Sequence, residues 1–286
     1  MPFFKDIDTV SVLERHVDRL EGLELSQARK VLKQYKIARE RLKAQLLMTP
    51  DNTFTEAKLK NALVQIEAGI LALNAQVKPE LYSGFEYLTD QGIEDSAREV
   101  NAMEKHFNGV SSVLPVDAII ESVDPVNMLF NNYETSVMTY SQNLRGRFQH
   151  QLTQSLLQNK TWSQAVWDME AVFNEEEWKL ARIVRTELHN IYNVSKSNGF
   201  LQIRQDYLPD LQKTLYHPID SRTGEDSKQA AFQNLIVNID EPFEYTYTRR
   251  RADGSSVKEK RTFMAPPDRP NDRAILIPYR KSYGEV

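Results

Sequence analysis

Along the first hundred residues, apolar positions return every three or four residues, the signature of one buried helix face. Val10, Leu13, Val17 and Leu20 set the stripe, and it resumes after Gly22 with Ala28, Val31, Tyr35, Ala38 and Leu42. The segment MTPDNT at 48–53 interrupts it as a turn. Thr53 and Glu56 stand at capping-box spacing, which predicts a new helix start there. Leu59, Leu63, Ile66, Ile70, Leu73 and Val77 then repeat the pattern, so the two stripes predict an antiparallel helical hairpin. Pro79 suits the first turn of a further helix with Leu81, Phe85 and Leu88, and another holds Ile93, Ala97, Val100 and Phe107. Stripes this narrow serve an internal bundle or a coiled-coil seam with a second protein, and the pattern leaves both open.

NGVSSVLPVD, residues 108–117, reads as a boundary. Beyond it Val137, Leu144, Phe148, Leu152 and Leu156 keep a helical period. Thr161 with Gln164 predicts a capped helix carrying Trp162 and Trp167. Asn174 with Glu177 predicts another start, and Gly199 its C-terminal stop. After about residue 214 the period changes. Alternating β-branched, aromatic and polar residues around Asp253-Gly254 predict a β-hairpin, and Ile275–Ile277 a short strand. The expected fold is mainly α with a small α+β C-terminal module. It divides into a helical hairpin region (1–108), a helical core (109–214) and a module with a basic hairpin (215–286).

Composition narrows the chemistry. The 286 residues contain no cysteine, which removes disulfides, thiolate metal sites and cysteine nucleophiles together. A net charge of −4 gives no global attraction to nucleic acid, so any such contact is local. No apolar run is long enough for a signal peptide or a membrane span, and the chain reads as a soluble protein made in the cytoplasm. The glycines form no nucleotide fingerprint.

The most site-like stretch is LYHPIDSRTGEDSKQAAF, Leu215 to Phe232. His217, Asp220, Asp226 and Asp272 are candidate metal ligands, but their spacing fits no standard loop. Ser221 beside Asp220 and near His217 lacks the elbow of a serine hydrolase. The plainer reading is a turn held by Asp220 and Arg222. A second candidate is the hairpin 249–261, with Arg249, Arg250, Arg251, Lys258, Lys260 and Arg261 against two acidic residues. Such a ribbon suits DNA phosphates or an acidic protein face, or is simply solvated.

Three segments, in order, resemble the phage head morphogenesis family of minor head proteins related to Mu protein F. ARIVRTELHNIYNVSKSNGF is similar to its Arg-Thr-Glu helix, through Arg185, Thr186, Glu187 and Asn193. The loop brings Asp220, Arg222 and Thr223 onto its Asp-x-Arg-Thr step. FMAPPDRPNDRAILIP is similar to its closing segment, through Pro266, Pro267, Asn271 and Arg273. The likeness spans about residues 130–280. Asp272 and Ala274 stand where the family has cysteines, Leu215 where it often has tryptophan, and its loop histidine has no counterpart. A family metal site is therefore not carried over, and neither cofactor nor catalytic residue is expected. Asp272 is expected instead to form a salt bridge, with Arg222 as its partner. The resemblance implies a minor virion protein at the portal vertex that acts in head assembly and in DNA packaging or ejection. Its partners would be the portal protein and other capsid or scaffold proteins, with self-association through the N-terminal helices and a DNA contact as further expectations.

Overall fold

The computed structural model describes residues 7–50, 54–110, 114, 126–231, 233, 235–251, 253–269 and 272–283, and of 7–12, 126–141 and 226 only the backbone. Four long helices lead: α1 (Ile7–Leu47), α2 (Glu56–Asn108), α3 (Val126–Leu157) and α4 (Trp162–Asp206). The C-terminal part follows as β1 (Gln212–Tyr216), α5 (Glu225–Ala231), β2 (Ile236–Asn238), β3 (Phe243–Arg250), β4 (Ser256–Phe263), β5 (Ile275–Tyr279) and a 3-10 turn at Lys281–Tyr283. The chain is mainly helical with a small antiparallel sheet region, as its periodicity predicts.

The helices are longer than their sequence punctuation suggests. α1 passes through Gly22 without a break. α2 passes through Pro79, so no helix begins there. Proline inside a helix forfeits one hydrogen bond at a cost of ~3 kcal/mol. Severing the buried stripe of Leu73, Val77, Leu81, Phe85 and Leu88 would cost more. α4 likewise runs through Asn174 and Gly199. Gly199 is no terminus: a Cβ there would collide with the side chain of Ser96 on α2. At Gly92 the added carbon would lie 2.5 Å from the Tyr192 carbonyl, so both glycines let α2 and α4 approach closely.

The expected cap at Thr53 lies outside the described residues; α2 is capped by Thr55, whose Oγ1 accepts from the Lys58 amide at 3.3 Å. The cap at Thr161 is as predicted. Its amide donates to Gln164 Oε1 at 3.0 Å, and the Gln164 amide returns to Thr161 Oγ1 at 3.3 Å. Just before it, Asn159 takes a left-handed conformation (φ 53°) and the Lys160 amide reaches back to the Ser155 carbonyl, which closes α3. The boundary expected at 108–117 falls largely outside the described residues.

Contacts divide the chain into two compact units made of interleaved stretches. One comprises 25–84 and 128–185, and is helical. Leu42 lies against Gly69, and Tyr35, Ile70, Leu73, Leu144, Phe148 and Phe173 line the same apolar interior. Tyr35 and the Trp162 indole bury their polar ends on the carbonyls of Phe173 and Leu46, at 3.1 and 2.7 Å. The other unit comprises the chain up to 24, 85–127 and 186 onward. Its core joins Ile93, Ala97 and Val100 of α2, Phe200 and Ile203 of α4, and Leu211, Ile239, Phe243 and Leu276. A three-stranded antiparallel sheet has the order β2-β1-β5, with Thr214 opposite both Ile236 and Ile277. β3 and β4 form a separate hairpin, Phe243 opposite Phe263 and Arg250 opposite Ser256, with Gly254 at positive φ in its turn.

Candidate functional site

The three segments that carry the resemblance, the first of them from Thr186 onward, come together in the second unit, and hydrogen bonds join them. On α4, His189 and Asn193 stand one turn apart and face β5. The Leu276 amide donates to Asn193 Oδ1 at 2.9 Å, and Asn193 Nδ2 donates to the His189 carbonyl at 3.0 Å. His189 Nε2 contacts the Ala274 carbonyl at 2.6 Å, and its Nδ1 the Glu24 carboxylate at 2.7 Å. All three side chains are buried. Burial lowers a histidine's affinity for a proton, but the charge and hydrogen bond of Glu24, the Ala274 carbonyl and the charge of Asp272 together outweigh it, and the His189 pKa is raised.

The loop of Asp220 is bound to itself and to the closing segment. The Arg222 amide donates to Asp220 Oδ1 at 2.8 Å, the Asp220 amide to Thr223 Oγ1 at 2.9 Å, and Thr223 Oγ1 to the Pro218 carbonyl at 2.7 Å. These side-chain bonds to nearby backbone fix the turn. Arg273 Nη1 then reaches Asp220 Oδ2 at 2.8 Å, while Arg222 reaches Glu21 at 3.0 Å and Arg273 also bonds Glu21. Two carboxylates alternate with two guanidinium groups, and the Arg273 bond holds the Asp220 carboxyl well below its usual range. Ser221 is exposed beside this cluster, and the Asp220 carboxylate is occupied by cations.

The expected Asp272–Arg222 pair is not formed, because Asp220 and Glu21 take Arg222. Asp272 is buried and accepts from the Ala274 amide at 3.2 Å and the Asp268 amide at 3.3 Å. Burial would raise its pKa, yet His217, Arg269 and His189 hold it low. Asp268, with Tyr245, Arg261 and Arg269 around it, is pushed up by burial and by the charge of Asp272. Pro266 and Pro267, joined by a cis bond, lead into this cluster. Asn271 and the side chain of Asp226 lie outside the described residues. Among those described, no three His, Asp or Glu side chains are arranged to hold a metal ion.

The other residues singled out in the sequence are scattered. Arg185 keeps a buried Nε with no hydrogen-bond partner, Thr186 is half-buried, and burial raises the pKa of Glu187. On the hairpin, Arg261 is committed to Asp268 and to the ring of Tyr247. Lys260 pairs with Glu244 at 2.6 Å and Arg249 loosely with Glu259 at 3.8 Å. Arg250, Arg251 and Lys258 hold no ion pair with the described residues.

A larger buried network escaped the sequence reading. His16 of α1 meets Glu99 at 2.6 Å, Asp95 at 3.2 Å and the Tyr192 hydroxyl. Lys196, fully buried, meets Glu99 at 2.5 Å, Tyr192 donates to Asp95 at 2.8 Å, and Arg19 also bonds Asp95. Burial and the Lys196 charge oppose the charge on His16, but Glu99 and Asp95 together prevail and the His16 pKa is raised. Burial alone would raise Asp95 too, yet the His16 hydrogen bond and charge, with Lys196 and Arg19, pull it down to about 2. The signal lay in the stripes themselves. Glu24 continues the register of Leu13, Val17 and Leu20 toward Ala28 and Val31, and Lys196 that of Leu188, Tyr192, Phe200 and Ile203. A charge at a core position demands a buried partner. Compared with protein-family models, curated proteins and solved structures, the chain finds no match.

Proposed function

We propose that this chain is a structural minor head protein of a tailed bacteriophage, placed at the portal vertex and acting in head assembly and in DNA packaging or ejection. One observation carries the reading: the three segments that resemble the head morphogenesis family are bonded to one another as fasteners. Asn193 holds Leu276, His189 holds Ala274, and Arg273 holds Asp220. Their polar groups are spent on backbone and on each other, an arrangement suited to maintaining a shape. The long helices would offer surface to the portal protein, to other capsid or scaffold proteins, or to a second copy through the N-terminal helices. Mixing the purified chain with purified portal rings should yield a co-migrating complex in sedimentation. No complex with portal, and none in assembled heads, would end the proposal.

A DNA-binding module is the second reading, favoured by Arg250 and Arg251 near the hairpin tip and Lys258 on β4, which hold no ion pair with the described residues. Replacing Arg249, Arg250 and Arg251 by alanine should then weaken DNA binding and flatten its salt dependence; unchanged binding would remove it.

A further inference from the structure

The two outer edges of the β3–β4 hairpin are treated in opposite ways. On β3, the backbone of Thr246 and Thr248 turns away from β4 and is met by two glutamines of the α5 region. The Thr248 amide donates to Gln229 Oε1 at 2.9 Å, and Gln229 Nε2 donates to the Thr248 carbonyl at 3.3 Å. Gln233 repeats this at Thr246, with Nε2 2.7 Å from the carbonyl and Oε1 3.4 Å from the amide. A carboxamide carries the same donor and acceptor pair as a peptide group. Two of them, one helical turn apart, stand in for a neighbouring strand.

That geometry also fixes the other edge. Since Thr246 and Thr248 turn outward, their partners Lys260 and Lys258 are the non-hydrogen-bonded positions of the ladder and turn their own N–H and C=O groups the opposite way. Ser256 and Thr262 share that parity. All four are exposed, and among the described residues none has a backbone partner on that side. β4 therefore presents a row of alternating donors and acceptors along seven residues, 256–262, on which none of the described residues pairs its backbone. Open edges are templates for strand addition.

Charge selects the occupant. Lys258, Arg250 and Arg251 hold no ion pair with the described residues and lie beside the edge or at the turn, so a second copy of the same strand is repelled and an acidic segment attracted. A nucleic acid fits less well, because phosphates only accept, and the outward carbonyls of β4 would face them without a donor. We propose that the free edge of β4 is a docking site for an extended acidic segment of a partner protein, added as a third strand of the hairpin. This goes beyond the head-protein reading and does not depend on it.

The probe is a fluorescein-labelled peptide of alternating glutamate and valine, about eight residues long to match the strand. Its anisotropy should rise on binding, and deuterium uptake across 256–263 should slow in the unsubstituted chain. Lys258→Pro removes one outward N–H where an edge strand tolerates proline. It should weaken binding about tenfold, the loss of a main-chain hydrogen bond with some local strain. Arg250→Glu with Arg251→Glu should weaken it as well, and circular dichroism checks that each variant folds. If the proline variant does not fold, deuterium uptake decides. Four results would overturn the proposal: no peptide binding, binding that leaves uptake at 256–263 unchanged, a thymidine oligonucleotide slowing that uptake in place of the peptide, or self-association protecting the same amides without peptide. Loss of the peptide with portal binding intact would leave the head-protein reading standing.

Discussion

The second unit contains two ionic clusters built from similar side chains. Asp220 and Arg222 are exposed, with Glu21 and Arg273 half-buried beneath them, so solvent screens the pairs of the exposed groups and each is worth ~0–1 kcal/mol. His16, Asp95, Glu99, Tyr192 and Lys196 lie among the helices, with Lys196 at 0% exposure. There each charge depends on its partner, because a buried ion left alone is costly. The exposed cluster looks like chemistry in the sequence and acts as a turn fastener. The buried one is nearly invisible in the sequence and fixes how α1, α2 and α4 meet.

Lys196→Ala is the strongest way to break this contrast. It strands Glu99 beside His16 and should destabilise by ~3–5 kcal/mol in urea unfolding. A loss below ~1 kcal/mol would put the network in contact with water and erase the distinction. Lys196→Met combined with Glu99→Met should regain much of the loss, since the demand for a partner disappears with both charges.

Asn193→Ala comes next. It removes the acceptor of the buried Leu276 amide, for an expected cost of ~2–3 kcal/mol by the same measurement. Asn193 belongs to neither cluster, so its loss should leave the pH behaviour of both unchanged.

The pH dependence is a smaller effect. His16 and His189 have raised pKa values when folded, so their contribution is full below the ordinary value of about 6.5 and is lost as pH rises through the folded values. His16 faces Asp95 and Glu99 of α2 and Tyr192 and Lys196 of α4; His189 faces Glu24 and Asp272. Thermal midpoints should therefore fall as pH rises above about 6.5. His16→Gln and His189→Gln should each flatten the fall, and an unaltered slope would count against both assignments. Asp95 acts on the acid side, its contribution lost as pH falls below the ordinary value of 3.8 toward about 2.

The least effect belongs to the exposed cluster. Asp220→Ala should cost ~1 kcal/mol or less, from an Asx turn and screened pairs. A cost comparable with that of Lys196→Ala would show the two clusters to be energetically alike.

Periodicity made the helices legible because burying one face imposes a spacing that survives any tertiary arrangement. The hairpin was legible too, since Asp253-Gly254 supplies the backbone its turn needs. Helix boundaries at Pro79, Asn174 and Gly199 were misread because each is only a local preference. Continuous burial of residues such as Val77, Leu81, Leu180 and Val184 overrides preferences of that size. β1 escaped notice: its Lys213 looks like a surface residue but is buried, with Nζ bonded to the Met264 carbonyl at 2.9 Å.

By itself the sequence determined the helical body and the hairpin. Only the tertiary structure decided the partners: Arg222 goes to Glu21, Asp272 to the Ala274 amide, and Glu24 to His189, 165 positions away. The reason is physical. Periodicity and turn chemistry act between neighbours in the chain, whereas a charge finds its partner in space, and that choice exists only once the helices have packed.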